Sequence, residues 1–194
     1  MGAQTGEHMG VHSLSGTPSA WVVRFEALFR RHARVLDLAC GAGRHSIWLA
    51  GQGHEVLAVD RDEAALRALS GVTGIRTERL DLELPVWPLS GRMFDAVVVC
   101  NYLYRPHLDA LLECVRPGGV LVYETFMRGN ERFGKPSNPD FLLRPGELLA
   151  RLARLDELFS VVAFEQGRTG GARPAVLQRV CALRGEAGDG LLPA

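Results

Sequence analysis

The chain of 194 residues carries no net charge, with Lys and Arg together at 22 and Asp and Glu together at 22. A balanced chain leaves no electrostatic footprint for nucleic acid or a membrane surface. No membrane partner is expected, and nucleic acid is demoted rather than removed, because a local basic patch is compatible with a zero sum. Cysteine is sparse and scattered: Cys40, Cys100, Cys114 and Cys181 form no C-x-x-C pair. Neither a disulfide framework nor a thiolate metal site is implied, and no metal is expected. Long apolar runs are missing, since "AVVVC" and "VLVY" fall far short of a membrane span. The N-terminus lacks the basic start and apolar stretch of a signal peptide, so a cytoplasmic protein is expected.

What is present is an alternation. Residues 1–17 are rich in Gly, Ser, Thr and His without apolar period and read as a flexible arm, residues 18–185 as one domain, and residues 186–194 as a tail. "PSAWVVRFEALFRR" places Trp21, Phe25, Leu28 and Phe29 at helical spacing behind Pro18. Then "ARVLDLA", "EVLAVD", "GIRTERLDL", "FDAVVVC" and "VLVYETF" read as strands. The helical patterns "RHSIWLAGQG", "RDEAALRALSG" and "RPHLDALLECVRPGG" fall between them. Such alternation predicts an α/β fold, a Rossmann-like doubly wound sheet with right-handed crossovers. The last third departs from it. A polar loop, "RGNERFGKPSNPDFLL", precedes a helix with Leu148, Leu149, Leu152 and Leu155 as its stripe. Two strands joined by "RTGGAR" then predict a closing hairpin, giving seven mostly parallel strands with an antiparallel last one.

The turn in "VLDLACGAGRHSIWLA" admits three ligands. A P-loop fails, because Arg44 and His45 follow Gly43 where Lys and Ser or Thr are required. A dinucleotide fingerprint is incomplete, since Ser46 stands at its third glycine. Asp37 sits four residues before Gly41, and a carboxylate there opposes a pyrophosphate. S-adenosylmethionine, with a positive sulfonium and amino group, tolerates acids, and Ala39, Gly41, Ala42 and Gly43 are small enough for close backbone approach. Asp60 ends the second strand, where an acid takes both ribose hydroxyls. Asp81 ends the third, placed to accept from an adenine amino group while the Leu82 N–H donates to a ring nitrogen. Taken singly, each acid is equally a helix cap or a solvated loop residue; in this order the three would line one crevice.

With those residues in view, the sequence resembles the class I S-adenosylmethionine-dependent methyltransferases. "VLDLACGAG", "VLAVD", "RLDL" and "FDAVVVCNYL" are similar to their first four motifs, and "LLECVRPGGVLVYETF" to the helix, turn and strand that follow. Within the class, "CGAGRHSIWLAGQGHEVLAVDRD" and "LLRPGELL" resemble the tellurite-resistance and thiopurine-type small methyltransferases. That likeness implies S-adenosylmethionine as cofactor and S-adenosylhomocysteine as product. It also implies Arg44 near the methionine carboxylate, Arg61 near adenine, and the backbone around Cys40, Cys100 and Asn101 near the methionine moiety.

The implied reaction is in-line displacement at the sulfonium methyl, which asks the protein to align and exclude water and needs a base only if the acceptor must lose a proton. No Asn- or Asp-Pro-Pro-aromatic motif follows the fourth strand, and Cys100 lacks the adjacent Pro of a nucleophilic cysteine, leaving it a small buried hydrophobe. Catalytic candidates are Tyr102, His107 and Glu124. Tyr102 and Tyr104 either wall an acceptor or pack. His107 is a base or a solvated helix residue. Glu124 is an acid in an apolar strand end, active or ion-paired with a loop arginine. Trp21 and Phe25 either lid the cleft or dock the helix, the lid being the favoured reading for Trp21. Arg128, Arg132 and Arg144 complete the acceptor candidates, Arg144 serving a loop carbonyl or an anionic acceptor. Without a separate substrate domain a small-molecule acceptor is expected, under a lid from the first helix and the 127–143 loop. An RNA or protein acceptor would require a basic or grooved face beside the cleft. A regulatory module that binds cofactor without turnover is the remaining alternative.

Overall fold

A computed structural model describes residues 16–155, 158–171 and 173–185. The assigned arm and tail therefore lie almost wholly outside the described residues. Helices α1 (Ala20–Phe25), α2 (Arg44–Gly51), α3 (Glu63–Arg67), α4 (Leu108–Glu113) and α5 (Glu147–Ala153) flank one sheet. Its strands are β1 (Arg34–Leu38), β2 (Glu55–Asp60), β3 (Ile75–Arg79), β4 (Phe94–Cys100), β5 (Val115–Phe126), β6 (Phe159–Arg168) and β7 (Val176–Arg184). They lie in the order β3-β2-β1-β4-β5-β7-β6. Only β7 runs against the rest, because it pairs antiparallel with both β5 and β6. The chain order reverses between β1 and β4, so their C-terminal ends open the crevice where doubly wound sheets bind ligands.

β4 is buried along its whole length, as a central parallel strand covered on both faces must be. Its alternate residues serve two cores. Val97 and Val99 join Leu36, Leu121 and Tyr123 under α4 and α5. Ala96, Val98 and Cys100 join Val35, Val122 and Leu49 under α1 and α2. Helix starts follow local chemistry. The Ser19 hydroxyl accepts the Trp21 N–H at α1, and the Asp62 carboxylate accepts from Ala64 and Ala65 at α3.

Three expectations change. The third strand ends at Arg79, leaving Asp81 in a turn. The fourth helix stops at Glu113, and the Pro-Gly-Gly stretch belongs to β5 rather than to the helix end. The 127–143 loop is no loose lid, because buried polar groups hold it. The buried Asn130 accepts from Val176 N–H at 3.1 Å and donates to Pro136 O. Arg105 donates to the Asp140 and Leu142 carbonyls at 2.6 and 2.7 Å while pairing with Glu147. Gln178, fully enclosed on β7, accepts from Leu148 N–H at 2.7 Å and donates to Arg144 O at 3.1 Å.

Gln178→Leu strands the Leu148 N–H, while the Arg144 carbonyl keeps the Glu147 N–H. Urea unfolding is expected to show a loss of about 1–3 kcal/mol, the desolvation cost of one unpaired group; an unchanged midpoint would remove Gln178 as the anchor of the loop.

Candidate cofactor site

Two adjoining cavities open at the C-terminal ends of β1 and β4. One, about 250 Å³, is lined by Asp60, Arg61, Asp81, Leu82, Glu83 and Tyr102 among others. The other, about 270 Å³, is lined by Cys40, Gly41, Ala42, Arg44, His45 and Cys100. Ala39 and Asn101 form a wall of both. Those two residues are also non-glycine positions with left-handed backbone, φ 54° and 57°. Such strain persists only where surrounding structure enforces it, and here it sits at the seam of the two cavities. Asn101 is held there by its N–H on the Glu124 carbonyl at 2.9 Å.

The glycine turn is shaped by contact and by an acid. Gly43, at φ 76°, starts α2, and a Cβ on it would stand 2.4 Å from the buried Leu69 side chain. A Cβ on Gly41 would meet nothing within 4 Å, so that glycine faces open space. The Gly41 N–H donates to Asp60 Oδ2 at 2.8 Å, and the Asp62 N–H to Asp60 Oδ1 at 2.9 Å. A turn that has given this donor to a carboxylate does not offer it to a pyrophosphate. Asp81, exposed, accepts from Glu83 N–H at 3.0 Å and keeps its other oxygen toward the same cavity's residues.

Asp37 lies one layer deeper than expected. It shares the strand face of Val35, which α2 covers, and lines neither cavity. Ser46 Oγ donates to its Oδ2 at 2.5 Å. Burial pushes its pKa up to about 6 against the pull of Ser46 and Arg44. Ser46, the residue that breaks the dinucleotide fingerprint, is thus the partner of the buried acid. His45 beside it is 3% exposed, and burial, aided by Arg44, lowers its pKa to about 4. Its Nε2 accepts the Ser19 N–H at 3.2 Å, which leaves the proton on Nδ1. Burial raises the Cys40 and Cys100 thiols well above their ordinary value, so both stay protonated.

Other candidates take structural posts. Trp21 is 3% exposed, donates to the Val180 carbonyl at 3.3 Å and stacks edge-on with Phe25. It docks α1 onto the sheet and lids neither cavity. Glu124 accepts from Ser19 Oγ at 2.9 Å and pairs with Arg179 Nε at 2.6 Å. That close approach is off the N–H line, so it is an ion pair rather than a hydrogen bond. Its partner stands on β7, not in the loop. His107 Nε2 meets the Leu84 carbonyl at 2.6 Å, and its ring packs near Trp87 and Tyr104, away from both cavities. Tyr104, Arg132 and Arg144 line neither one. Tyr102 does line the first. Its hydroxyl is buried with no partner among the described residues, and burial followed by Glu83 holds its pKa up.

Ser19, His45, Ser46 and Arg179 were not legible as site residues, because each acts through a long-range contact. One signal was available: Asp37 at a strand end and Ser46 in the next helix's first turn are spaced to meet. Among the described residues no His/Cys/Asp/Glu group could hold a metal, and no helix is long and apolar enough to cross a membrane.

These residues suit S-adenosylmethionine. Carboxylates with free lone pairs and an orphan hydroxyl border the first cavity, where a diol would meet acceptors, and an open glycine edge borders the other. Residues 35–119 match a family described as a methyltransferase domain. A tRNA U34 carboxymethyltransferase of Methylococcus capsulatus is 30% identical over 168 residues, covering 72% of this chain and 51% of that protein. TehB from Haemophilus influenzae superposes with a TM-score of 0.69 at 18% identity, over 85% of this chain and 61% of that one. An S-adenosylmethionine-dependent methyltransferase from Mesorhizobium loti gives a TM-score of 0.63 at 20% identity, over 90% of this chain and 100% of that one. The sheet order and these neighbours are those of the class I Rossmann-like fold. The chain spans about half the length of the curated relatives it matches.

In the cofactor-free protein Asp37 and His45 push stability in opposite directions with pH. The folded pKa of Asp37, about 6 against an ordinary 3.8, lets the fold hold an extra proton across that window, so stability falls as pH rises through it. The folded pKa of His45, about 4 against 6.5, makes stability rise as pH climbs through its window. Each contributes about 3 kcal/mol in full. Asp37→Asn, which keeps an acceptor for Ser46, is expected to be near neutral at about pH 3.5 and stabilising by about 3 kcal/mol at pH 7. Denaturant titrations at both pH values check this, and an equal effect at both would refute it.

Proposed function

The chain carries a methyltransferase domain of the class I, S-adenosylmethionine-dependent fold, and from that premise we propose that it transfers the cofactor's methyl group to an acceptor presented over β4 and β5. One observation carries the reading: the Gly41 N–H is bonded to Asp60 across the mouth of a cavity that also holds Asp81. A cationic nucleoside fits that arrangement and a diphosphate does not.

Bound there, S-adenosylmethionine supplies a methyl already activated by positive sulfur. Asp60 receives the ribose hydroxyls with the lone pairs that Gly41 and Asp62 leave free. Asp81 and the Leu82 N–H read the adenine edge, with Arg61 and the Tyr102 hydroxyl closing that side. Arg44 reaches the amino-acid carboxylate, exchanging for it a weak 3.4 Å bond to the Thr17 carbonyl. The backbone at Cys100 and Asn101 takes the amino group. Asp37 acts from beneath through Ser46 and the start of α2. Neither Glu124, ion-paired, nor His45, its Nε2 occupied, is placed as a ready base. That favours an acceptor whose attacking atom is neutral or already deprotonated, for which alignment and exclusion of water suffice. The small-molecule acceptor expected from the absence of a substrate domain stands against a polyanionic one, which the charge distribution supports below.

At 100 times its dissociation constant a ligand adds about 2.7 kcal/mol, which for a domain of this size is a rise of about 5–10 °C in Tm. S-adenosylhomocysteine is expected to give that rise and NAD none; stabilisation by NAD alone would overturn the reading. Asp60→Asn preserves an acceptor for Gly41 but turns a donor toward the ribose. Calorimetry should show S-adenosylhomocysteine binding weakened about 10- to 100-fold with Tm near wild type, and unchanged affinity would strip Asp60 of the ribose role.

A further inference from the structure

Arginines over most of the surface are answered by acids. Asp95 takes Arg30 and Arg116, Glu78 takes Arg76 and Arg92, and Glu63 takes Arg67 and Arg79. At the C-terminal ends of β5 and β6 and the N-terminal end of β7 this pattern stops. Arg128, Arg132, Arg144 and Arg168 are all exposed, and none has a carboxylate within ion-pair distance among the described residues.

A single knot of backbone brings them together. The Met127 N–H donates to the Val176 carbonyl, the Arg128 N–H to Leu143, and the Val176 N–H to Asn130 Oδ1. Arg168 pairs with Val176 across the hairpin, and Arg144 follows Leu143 directly. Arg132 and Arg168 place their guanidiniums 5.7 and 5.5 Å from the Phe133 ring. Lys135 and Arg173, also exposed, extend the patch along the loop and the hairpin tip. Glu147, paired with Arg105, accepts the Arg144 N–H, Glu165 borders a cavity with Arg168, and between Arg128 and Arg132 in the chain stands Glu131. Its carboxylate is drawn below the usual range by its own and the Gly129 N–H, then by Arg132 and Arg128.

We infer that this rim is the docking surface for the phosphate backbone of a single-stranded stretch of RNA, which delivers a base to the cofactor crevice. The inference rests on the methyl-transfer reading and deepens it by naming the acceptor's class. Position is the first argument. Arg128 lies four residues beyond Glu124 on the same run, about 13 Å in extended chain, and the Glu124 carbonyl holds Asn101 at the crevice wall. Geometry is the second. The four arginines are exposed and spread over the end of β5, the 127–143 loop with its following residue, and the β6–β7 hairpin, with only Arg168 bordering a cavity, which suits several spaced phosphates better than one small anion. Rigidity is the third. Asn130, Arg105 and Gln178 pin the loop, so the backbone that carries most of the array is preorganised and the ordering cost of binding is confined to the arginine side chains. Chemistry is the fourth. Guanidinium forks match phosphate oxygens, and planar guanidiniums resting on an aromatic ring offer a stacking surface to unpaired bases.

The test is fluorescence anisotropy of the whole chain, saturated with S-adenosylhomocysteine, against labelled mixed tRNA and a labelled 20-nucleotide single strand. Four phosphate contacts predict an affinity loss of about 50- to 150-fold between about 50 and 200 mM salt. The variant carrying Arg128→Glu, Arg144→Glu and Arg168→Glu should bind RNA at least about tenfold more weakly with a shallower salt slope. Its Tm and S-adenosylhomocysteine affinity should match wild type, since none of the three lines the cofactor cavities. Absence of RNA binding at low salt, equal binding by the variant, or equal competition by polyglutamate would each overturn the inference. In all three cases retained S-adenosylhomocysteine binding leaves the methyltransferase reading standing, whereas its loss in the wild type would sink that reading instead.

Discussion

A backbone N–H satisfies one strong acceptor at a time, and the one at Gly41 is given to Asp60. Much of the crevice follows from that bond. It closes the tip of β1 against the tip of β2, and it fixes a carboxylate where doubly wound sheets that bind diphosphates keep an open donor. The same bond leaves Gly41's missing Cβ facing empty space, so the turn presents a bare edge beside an acid. A fold that many ligands share is thereby committed to one sign of charge. The commitment is made by a hydrogen bond and not by the glycine pattern, which is why the pattern alone left three ligands open.

Asp60 was legible because its place follows from a strand end, and strand ends follow from apolar runs; Asp81 reaches the same cavity from the turn two residues beyond β3. Asp37 was legible as important and wrong in depth. Side chains alternate along a strand, and Asp37 falls on the face that α2 covers, so it meets Ser46 and not the cavity. Trp21 shows the same limit from the other side. Helical spacing put it on an apolar face with Phe25, but which surface that face meets depends on β7, distant in sequence and reversed in direction. Glycine and proline in the 127–143 segment suggested looseness. The segment is instead held by Asn130, Arg105 and Gln178, whose partners lie 30 or more residues away in most cases.

The methionine side of the crevice depends on the few residues before α1. Ser19 acts three times: its hydroxyl caps α1 and meets Glu124, and its N–H rests on His45. The last contact requires a neutral imidazole, which burial and Arg44 enforce. Glu124 in turn stands in a row across the sheet, Cys100 beside Glu124, Glu124 beside Arg179, Arg179 beside Glu165, all on the face that α1 covers. Alternating charges along such a row are mutually satisfied, which lets acids and a guanidinium lie under a helix next to two un-ionised thiols without a stranded charge.

A zero net charge says little about where charges sit. At physiological ionic strength the screening length is about 8 Å, far less than the span of a seven-stranded sheet, so acids at one edge do not cancel guanidiniums at the other. At the ends of β2 and β3, Asp60 and Asp81 line one cavity, and Asp62 caps α3 beside it. The unpaired arginines gather beyond β5, β6 and β7. Between them lie Ala39, Asn101 and the protonated thiols, a nearly neutral seam. On the docking inferred above, a cationic cofactor and an anionic acceptor would each be drawn to their own side of that seam, and the place where the two meet is where a methyl group would cross.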